Sequence, residues 1–456
     1  MPDILIKNTK VFVNNYLQPA EVLIEDGKIT KIARQIDVQR LNEVIDAKGA
    51  LTLPSAIDVH VHFREPGMTE KEDWYTGSCS AAAGGVTTVI EHPNTIPPTT
   101  DKRTFKEKLK LANRKSIVDF GIYGGVTGNI EKLPELWELG VTAFGEIFMA
   151  ESTGELNISE ETLDKALSAI AGLGAMACIH AEDEKIRQEC ESFLKGDFSP
   201  QSHSKARPNL CEAMAVEKAL KLAKTNETQT HFCHISAFES VGLLRRERYI
   251  EQSSGAPVKI TSEVTPHHLF LSTKDWDRLG SFGKMNPPLR ERRNPKMLLN
   301  ALNDGTIDMV ATDHAPHTEA EKDAGIKSTP SGVPGVETLL PLMLVAVKRN
   351  LIPLGRMIDV TSRNPARIFD LTRYSKGVFA EGFDADLVIV DPSNVRKIKG
   401  DHLHSKAGWT PYEGMDGIFP EYTIAKGDVV WDGEILASRG RGNFLPGRGI
   451  TSNDED

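Results

Sequence analysis

The stretch DVHVHFREPG, Asp58 to Gly67, puts His60 and His62 at the end of an apolar run and Arg64 two residues further on. Side chains alternate faces along a strand, so these three residues form one row on one side. Such a row needs company, because two imidazoles hold an ion only with further donors nearby. Working outward from it, short apolar runs alternate with longer, charged, helix-like segments: GVTTVIEHP, SIVDFGIYGG, GVTAFGEIFM, GAMACIHAED, THFCHIS, VKITSEVTPHH and TIDMVATDHAP are separated by stretches such as TLDKALSAIAGL and NLCEAMAVEKALKLAK. Strand followed by helix, repeated this often, predicts an α/β fold of the (β/α)8 barrel type, here over residues 53–373.

The flanks read differently. Residues 1–52 carry alternating and β-branched runs broken by turn pairs such as Asp26-Gly27, and residues 374–445 return to the same pattern in GFDADLVIVDP and YTIAKGDVVWDGEIL. A small composite β-sandwich built from both chain ends is expected. Residues 446–456 are polar and acidic at the end and are expected to form a disordered tail.

Composition bounds the function. A chain of 456 residues with 39% hydrophobic content can bury a large core, and a net charge of -10 argues against a sequence-independent grip on nucleic acid. Small solutes are the expected partners. The N-terminus lacks a signal-like apolar segment, and no window approaches the roughly 20 apolar residues of a membrane span, so the cytoplasm is the expected compartment. Five scattered cysteines without paired spacing are read as thiols, most of them buried. The expected assembly is a homo-oligomer, with a dimer as the first candidate.

In a barrel the chemistry gathers at the C-terminal ends of the strands, so the polar residues ending each run are the ones to ask about. They are His60 and His62, Glu146, His180, His234 and Asp313. Each has an ordinary alternative: a structural histidine, a helix N-cap for Asp313, a solvated or ion-paired carboxylate for Glu146. Their joint occurrence at successive strand ends points to a divalent metal, and four imidazoles with two carboxylates suit Zn²⁺. His92, His231, His267, His268 and His314 are assigned structural places.

With these residues in hand, the chain resembles the dihydroorotases of the amidohydrolase superfamily. DVHVHFREPG is similar to one signature of that group and ATDHAPHTEAEK, Ala311 to Lys322, to the other. HPNT at 92–95, HAED at 180–183, MNPPLR at 285–290, SGVPGVET at 331–338 and NPARIF at 364–369 support it. The resemblance implies a zinc-dependent cyclic amidohydrolase, two ions per subunit, that interconverts N-carbamoyl-L-aspartate and L-dihydroorotate in pyrimidine synthesis. It implies His60, His62 and Asp313 on one ion and His180 and His234 on the other, with Asp313 carrying a proton from the attacking hydroxide to the leaving amide nitrogen. Arg64 would take the substrate carboxylate with its planar fork, Asn94 and His317 would complete that site, and Asn286 would reach the ring amide.

One departure stands out. Many relatives join the two metals through a carboxylated lysine on the fourth strand, where this chain has Glu146. Glutamate keeps a bidentate anionic ligand, on a shorter arm, and Glu146 is expected to bridge. Two other readings use the same residues: an allantoinase or hydantoinase, whose rings do not require an arginine for an α-carboxylate, and a non-catalytic relative serving as a pathway scaffold.

Overall fold

The computed structural model describes residues 3–39, 41–152, 156–255 and 259–450. Eight parallel strands follow one another as the apolar runs suggest: Ala56–Val61, Val86–Glu91, Asp119–Ile122, Phe144–Phe148, Met176–His180, Gln229–Phe232, Ile260–Val264 and Met309–Val310. Ladders join the first three and the last five. Parallel bridges from Gly124 to Phe144 and from Val61 to His314 connect the two groups, and the sheet closes on itself as a barrel. All its strands are buried, which is why they read as continuous apolar runs instead of alternating ones.

Helices between the strands face outward and bury one side. Lys102–Lys115 shows how the sequence sets one: Asp101 caps it by accepting from the Thr104 amide at 2.8 Å, Arg114 and Lys115 complement its C-terminal dipole, and Phe105 and Ala112 go inward. Lys108, on the same buried face, pairs with Glu91 at the end of the second strand. Among the described residues no helix is long and apolar enough to cross a membrane.

Both chain ends enter a second, eight-stranded sheet. Ile4–Val13, Tyr16–Glu25, Lys28–Ala33, Glu43–Asp46 and Leu51–Pro54 come from the front of the chain, and Leu387–Val390, Tyr422–Ala425 and Asp428–Trp431 from the back. The seam is antiparallel, with Leu53 opposite Val388. Asp26 and Gly27 make a tight hairpin turn with both φ values positive, 51° and 74°, as the mirror-image turns of twisted hairpins require. All five cysteines are free thiols, and all but Cys190 are buried.

The terminal stretch departs from expectation. Residues 446–450 are held: the Pro446 carbonyl accepts from the Tyr374 hydroxyl at 2.9 Å, the Gly447 amide donates to Gly140 at 2.8 Å, and Arg448 grips Asp370. Composition alone suggested disorder there, but a Cβ at Gly447 would fall 1.9 Å from the Val141 oxygen, so the glycine permits a backbone contact that polarity does not reveal. Residues 451–456 lie outside the described residues.

Candidate active site

The six residues singled out at the strand ends converge at one mouth of the barrel. His60 is the penultimate residue of the first strand and His62 follows its end; both are buried, with ring centroids 5.2 Å apart. Asp313 follows the eighth strand, and its Oδ1 stands 3.0 Å from His62 Nε2 and 3.5 Å from His60 Nε2. Glu146 lies within the fourth strand, His180 ends the fifth and His234 follows the sixth.

Glu146 stands between the two sets. Its Oε1 is 2.8 Å from His180 Nδ1 and 2.6 Å from His234 Nε2, and its Oε2 is 3.7 Å from His60 Nε2 and 4.0 Å from His62 Nε2. One carboxylate oxygen therefore faces each group. Among the described residues, His60, His62 and Asp313 place ligand atoms within 4.8 Å of one another, and so do Glu146, His180 and His234. Nitrogen and carboxylate donors in two such groups fit a divalent ion such as zinc in each. His60 Nε2, buried with no hydrogen-bond partner among the described residues, fits the same reading.

The backbone is bent to make this possible. Asp313 and His234 hold left-handed φ values of 47° and 30°, as does Arg64 at 63°. Non-glycine residues persist there only where the surroundings over-determine them. Around Asp313 they do: the His62 amide donates to the His314 carbonyl at 2.8 Å, and the Thr312 amide donates to Asp58 at 3.0 Å.

Arg64, Asn94, Asn286 and Asp313 line a small cleft with Ser152, Ser331 and Gly332. Gly332 is needed where it stands, since with φ 137° a Cβ would meet the Ala315 oxygen at 2.5 Å. Arg64 is buried, and its guanidinium donates to the Pro316 carbonyl and lies 3.2 Å from His317 Nε2; no carboxylate comes within ion-pair distance of it among the described residues. Burial lowers its pKa to about 10. Asn94 accepts from His62 Nδ1 at 2.7 Å through Oδ1, leaving its amide nitrogen for the cleft. Asn286 donates to Ser152 Oγ, and its Oδ1 is buried without a partner. His317 stands behind Arg64, near Ser331 and Lys71, and burial together with Arg64 and Lys71 holds it neutral.

This barrel, with histidines and a carboxylate at its strand ends, matches the family model described as "Amidohydrolase family" over residues 51–430. The chain belongs to the amidohydrolase family. That family is generally metal-dependent. The chain is 64% identical to a protein named dihydroorotase from Methanosarcina acetivorans, over 100% of this chain and 98% of that one. To the dihydroorotase of Halobacterium salinarum it is 43% identical, over 92% and 97%. Among solved structures, the L-hydantoinase (dihydropyrimidinase) from Arthrobacter aurescens superposes with a TM-score of 0.92 at 31% identity, covering 98% of this chain and 100% of that one.

Behind the donors stands a layer that sequence reading missed. Glu263 lies 2.6 Å from His60 Nδ1, 3.2 Å from His231 Nε2 and accepts from the His234 amide at 3.2 Å, tying the two groups together. Glu182 holds His180 Nε2 at 2.9 Å and is itself held by Arg207. Such partners fix which imidazole nitrogen faces the centre: Nε2 for His60 and Nδ1 for His180. Glu182 had a signal, since it stands only two residues beyond His180, just past the end of the strand.

Burial would raise the Glu146 pKa, but His60 and the hydrogen bonds from His180 and His234 hold it well below the usual carboxylate range. Burial opposes protonation of His180, yet Glu146 and Glu182 push its pKa up to about 9. An ion must displace that proton to bind.

Proposed function

We propose that this chain is a dihydroorotase, interconverting L-dihydroorotate and N-carbamoyl-L-aspartate in pyrimidine synthesis. The observation that carries the reading is Arg64: a buried guanidinium with no carboxylate partner among the described residues opens onto the same cleft as the histidine and carboxylate groups. Leaving a charge buried and unpaired is costly, and a substrate carboxylate relieves that cost. The identity to proteins named dihydroorotase supports it.

Two zinc ions are proposed, one on His60, His62 and Asp313, the other on His180 and His234, with Glu146 between them. When bound they supply positive charge that polarises the ring carbonyl and lets water act as a nucleophile at neutral pH. The chain's own residues do the rest. Arg64 and the Asn94 amide take the carboxylate, and His317 backs the guanidinium. The unpartnered Asn286 Oδ1 accepts from a ring N–H. Asp313, kept ionised by His62 and His60 despite its burial, takes the proton of the attacking water and returns it to the departing ring nitrogen. In this reading the enzyme is a cytoplasmic homo-oligomer whose 53–373 barrel carries the site and whose 1–52 and 374–445 segments form one supporting unit.

The L-hydantoinase likeness favours one rival, a ring without the carboxylate. Assaying the zinc-loaded protein on L-dihydroorotate, hydantoin and allantoin separates them, with turnover expected for the first. Arg64→Lys should raise KM for dihydroorotate by about tenfold or more, the scale of a charge-assisted hydrogen bond lost. Turnover of hydantoin but not dihydroorotate, or an unchanged KM in Arg64→Lys, would contradict the proposal.

A further inference from the structure

The stretch ATDHAPHTEAEK supplies Asp313 and His317 to the proposed site, and its last residue, Lys322, is left without a part. Local sequence turns this lysine inward. Thr318 caps a single helical turn, Glu319–Lys322, by accepting from the Glu321 amide, and the Glu321 carboxylate accepts in return from the Thr318 amide at 3.1 Å. Lys322, at the end of that turn, is fully buried.

Three backbone carbonyls receive its three N–H groups: those of Lys284 at 2.9 Å, Pro330 at 3.0 Å and Gly332 at 3.0 Å. No carboxylate lies within ion-pair distance of it among the described residues. Other buried lysines differ, for Lys108 is paired with Glu91, and Lys376 with Asp119, Asp384 and Asp386. Those lysines serve the fold and meet their countercharge there. A methionine of similar length in place of Lys322 would fill the space without the cost of desolvating a charge.

The three carbonyls belong to two segments that line the substrate cleft. Lys284 stands two residues before Asn286, while Pro330 and Gly332 flank Ser331, and Asn286, Ser331 and Gly332 all face the cleft. The Gly332 amide donates to the Lys284 carbonyl at 3.0 Å, so the two segments meet beside the ammonium. The same ammonium stands 5.6 Å from the centre of the Trp409 ring, close enough for a cation–π contact. Trp409 Nε1 in turn donates to the His317 carbonyl at 2.9 Å, and His317 Nε2 lies 3.0 Å from the Ser331 carbonyl.

We propose that Lys322 is a positioning residue for the substrate, its ammonium holding the Asn286 and Ser331–Gly332 segments in register across the cleft. The proposal rests on the dihydroorotase reading above. An ammonium directs three N–H groups from one point and so fixes three carbonyls relative to one another. Losing it frees the two segments to shift independently, which weakens binding of the ring and of its open form alike. The barrier from bound substrate is touched less, because Lys322 meets none of the metal-ligand residues.

The test compares zinc-loaded full-length protein with Lys322→Met, which keeps the length of the side chain and removes its donors. KM for L-dihydroorotate should rise by about tenfold or more, with kcat per zinc-loaded chain falling by less than KM rises. Lys376→Met is the control, since it removes a buried ammonium at the other end of the barrel; its KM should stay at the wild-type value. If Lys322→Met does not fold, the same comparison is read on Lys322→Arg, which keeps the charge but cannot bring three N–H groups to one point. A wild-type KM in a folded Lys322 variant, or an equal rise in Lys376→Met, would overturn the proposal while leaving the dihydroorotase reading intact. Failure of both Lys322 variants to fold would make Lys322 a residue of the fold and overturn it as well. A wild-type chain that does not turn over dihydroorotate would overturn both readings.

Discussion

The barrel carries a buried charge cluster at each end, and the two are built to opposite plans. At the start of the third strand, Asp119 meets Lys376, which also holds Asp384 and Asp386 just before the Leu387–Val390 strand of the second sheet, at 2.5, 3.1 and 2.9 Å. Those carboxylates bring their cation with them. At the other end Glu146 and Asp313 are surrounded by imidazoles, some with nitrogens unpartnered, and among the described residues no lysine pairs with either. Both clusters concentrate negative charge where water is scarce. One is complete and joins barrel to sheet; the other is complete only with an ion from outside. A satisfied buried cluster holds a fold together, and an unsatisfied one at the C-terminal mouth of a barrel marks where chemistry happens.

The largest effect is expected at the open end. Asp313→Asn should fold and still bind zinc, but the amide cannot take a proton from water, and turnover should fall on the order of a hundredfold or more. Near wild-type turnover would remove Asp313 from proton transfer and blur the distinction between the two ends.

Glu146→Gln comes next. A neutral amide is a poor link between two dications, so zinc content per chain, measured by plasma mass spectrometry, should drop. Wild-type zinc content and rate should also be indifferent to stripping bicarbonate, because a glutamate needs no carbon dioxide to become a ligand. A rate restored by bicarbonate would point to a carboxylated lysine elsewhere.

The sequence carried the barrel because its strands are continuous apolar runs, and it carried His60, His62 and Asp313 because alternation and strand-end position are local properties. It did not carry Glu263. That residue reaches His60 across 203 positions of chain, and only the strand register brings them together. Arg64 lies on the cleft, and His317 meets its guanidinium at 3.2 Å, a contact that residue types alone cannot give.

A smaller effect concerns protons. His180, raised to about 9 in the metal-free protein, stabilises that form fully below its ordinary pKa of 6.5 and ceases to do so as pH rises through about 9. Zinc binding should therefore tighten with pH up to about 9 and release protons near neutrality, both measurable by titration calorimetry in buffers of different ionisation enthalpy. Proton-neutral binding would show that Glu146 and Glu182 do not hold His180 charged.

The smallest change in turnover belongs to the closed end. Lys376→Met leaves Asp119 and Asp386 without their cation, Asp384 keeping Lys28, and should cost about 3–5 kcal/mol of stability by urea unfolding, with the rate per folded, zinc-loaded molecule unchanged. A loss of rate in fully folded protein would mean that the two clusters are coupled.

The central claim is that the Glu146 carboxylate joins two ions, and anomalous scattering at the zinc edge from crystals of the zinc-loaded protein tests it most directly. The account predicts two peaks per chain, one beside His60, His62 and Asp313 and one beside His180 and His234, with a Glu146 oxygen on each. A single peak, or two peaks with Glu146 turned away from both, would contradict it.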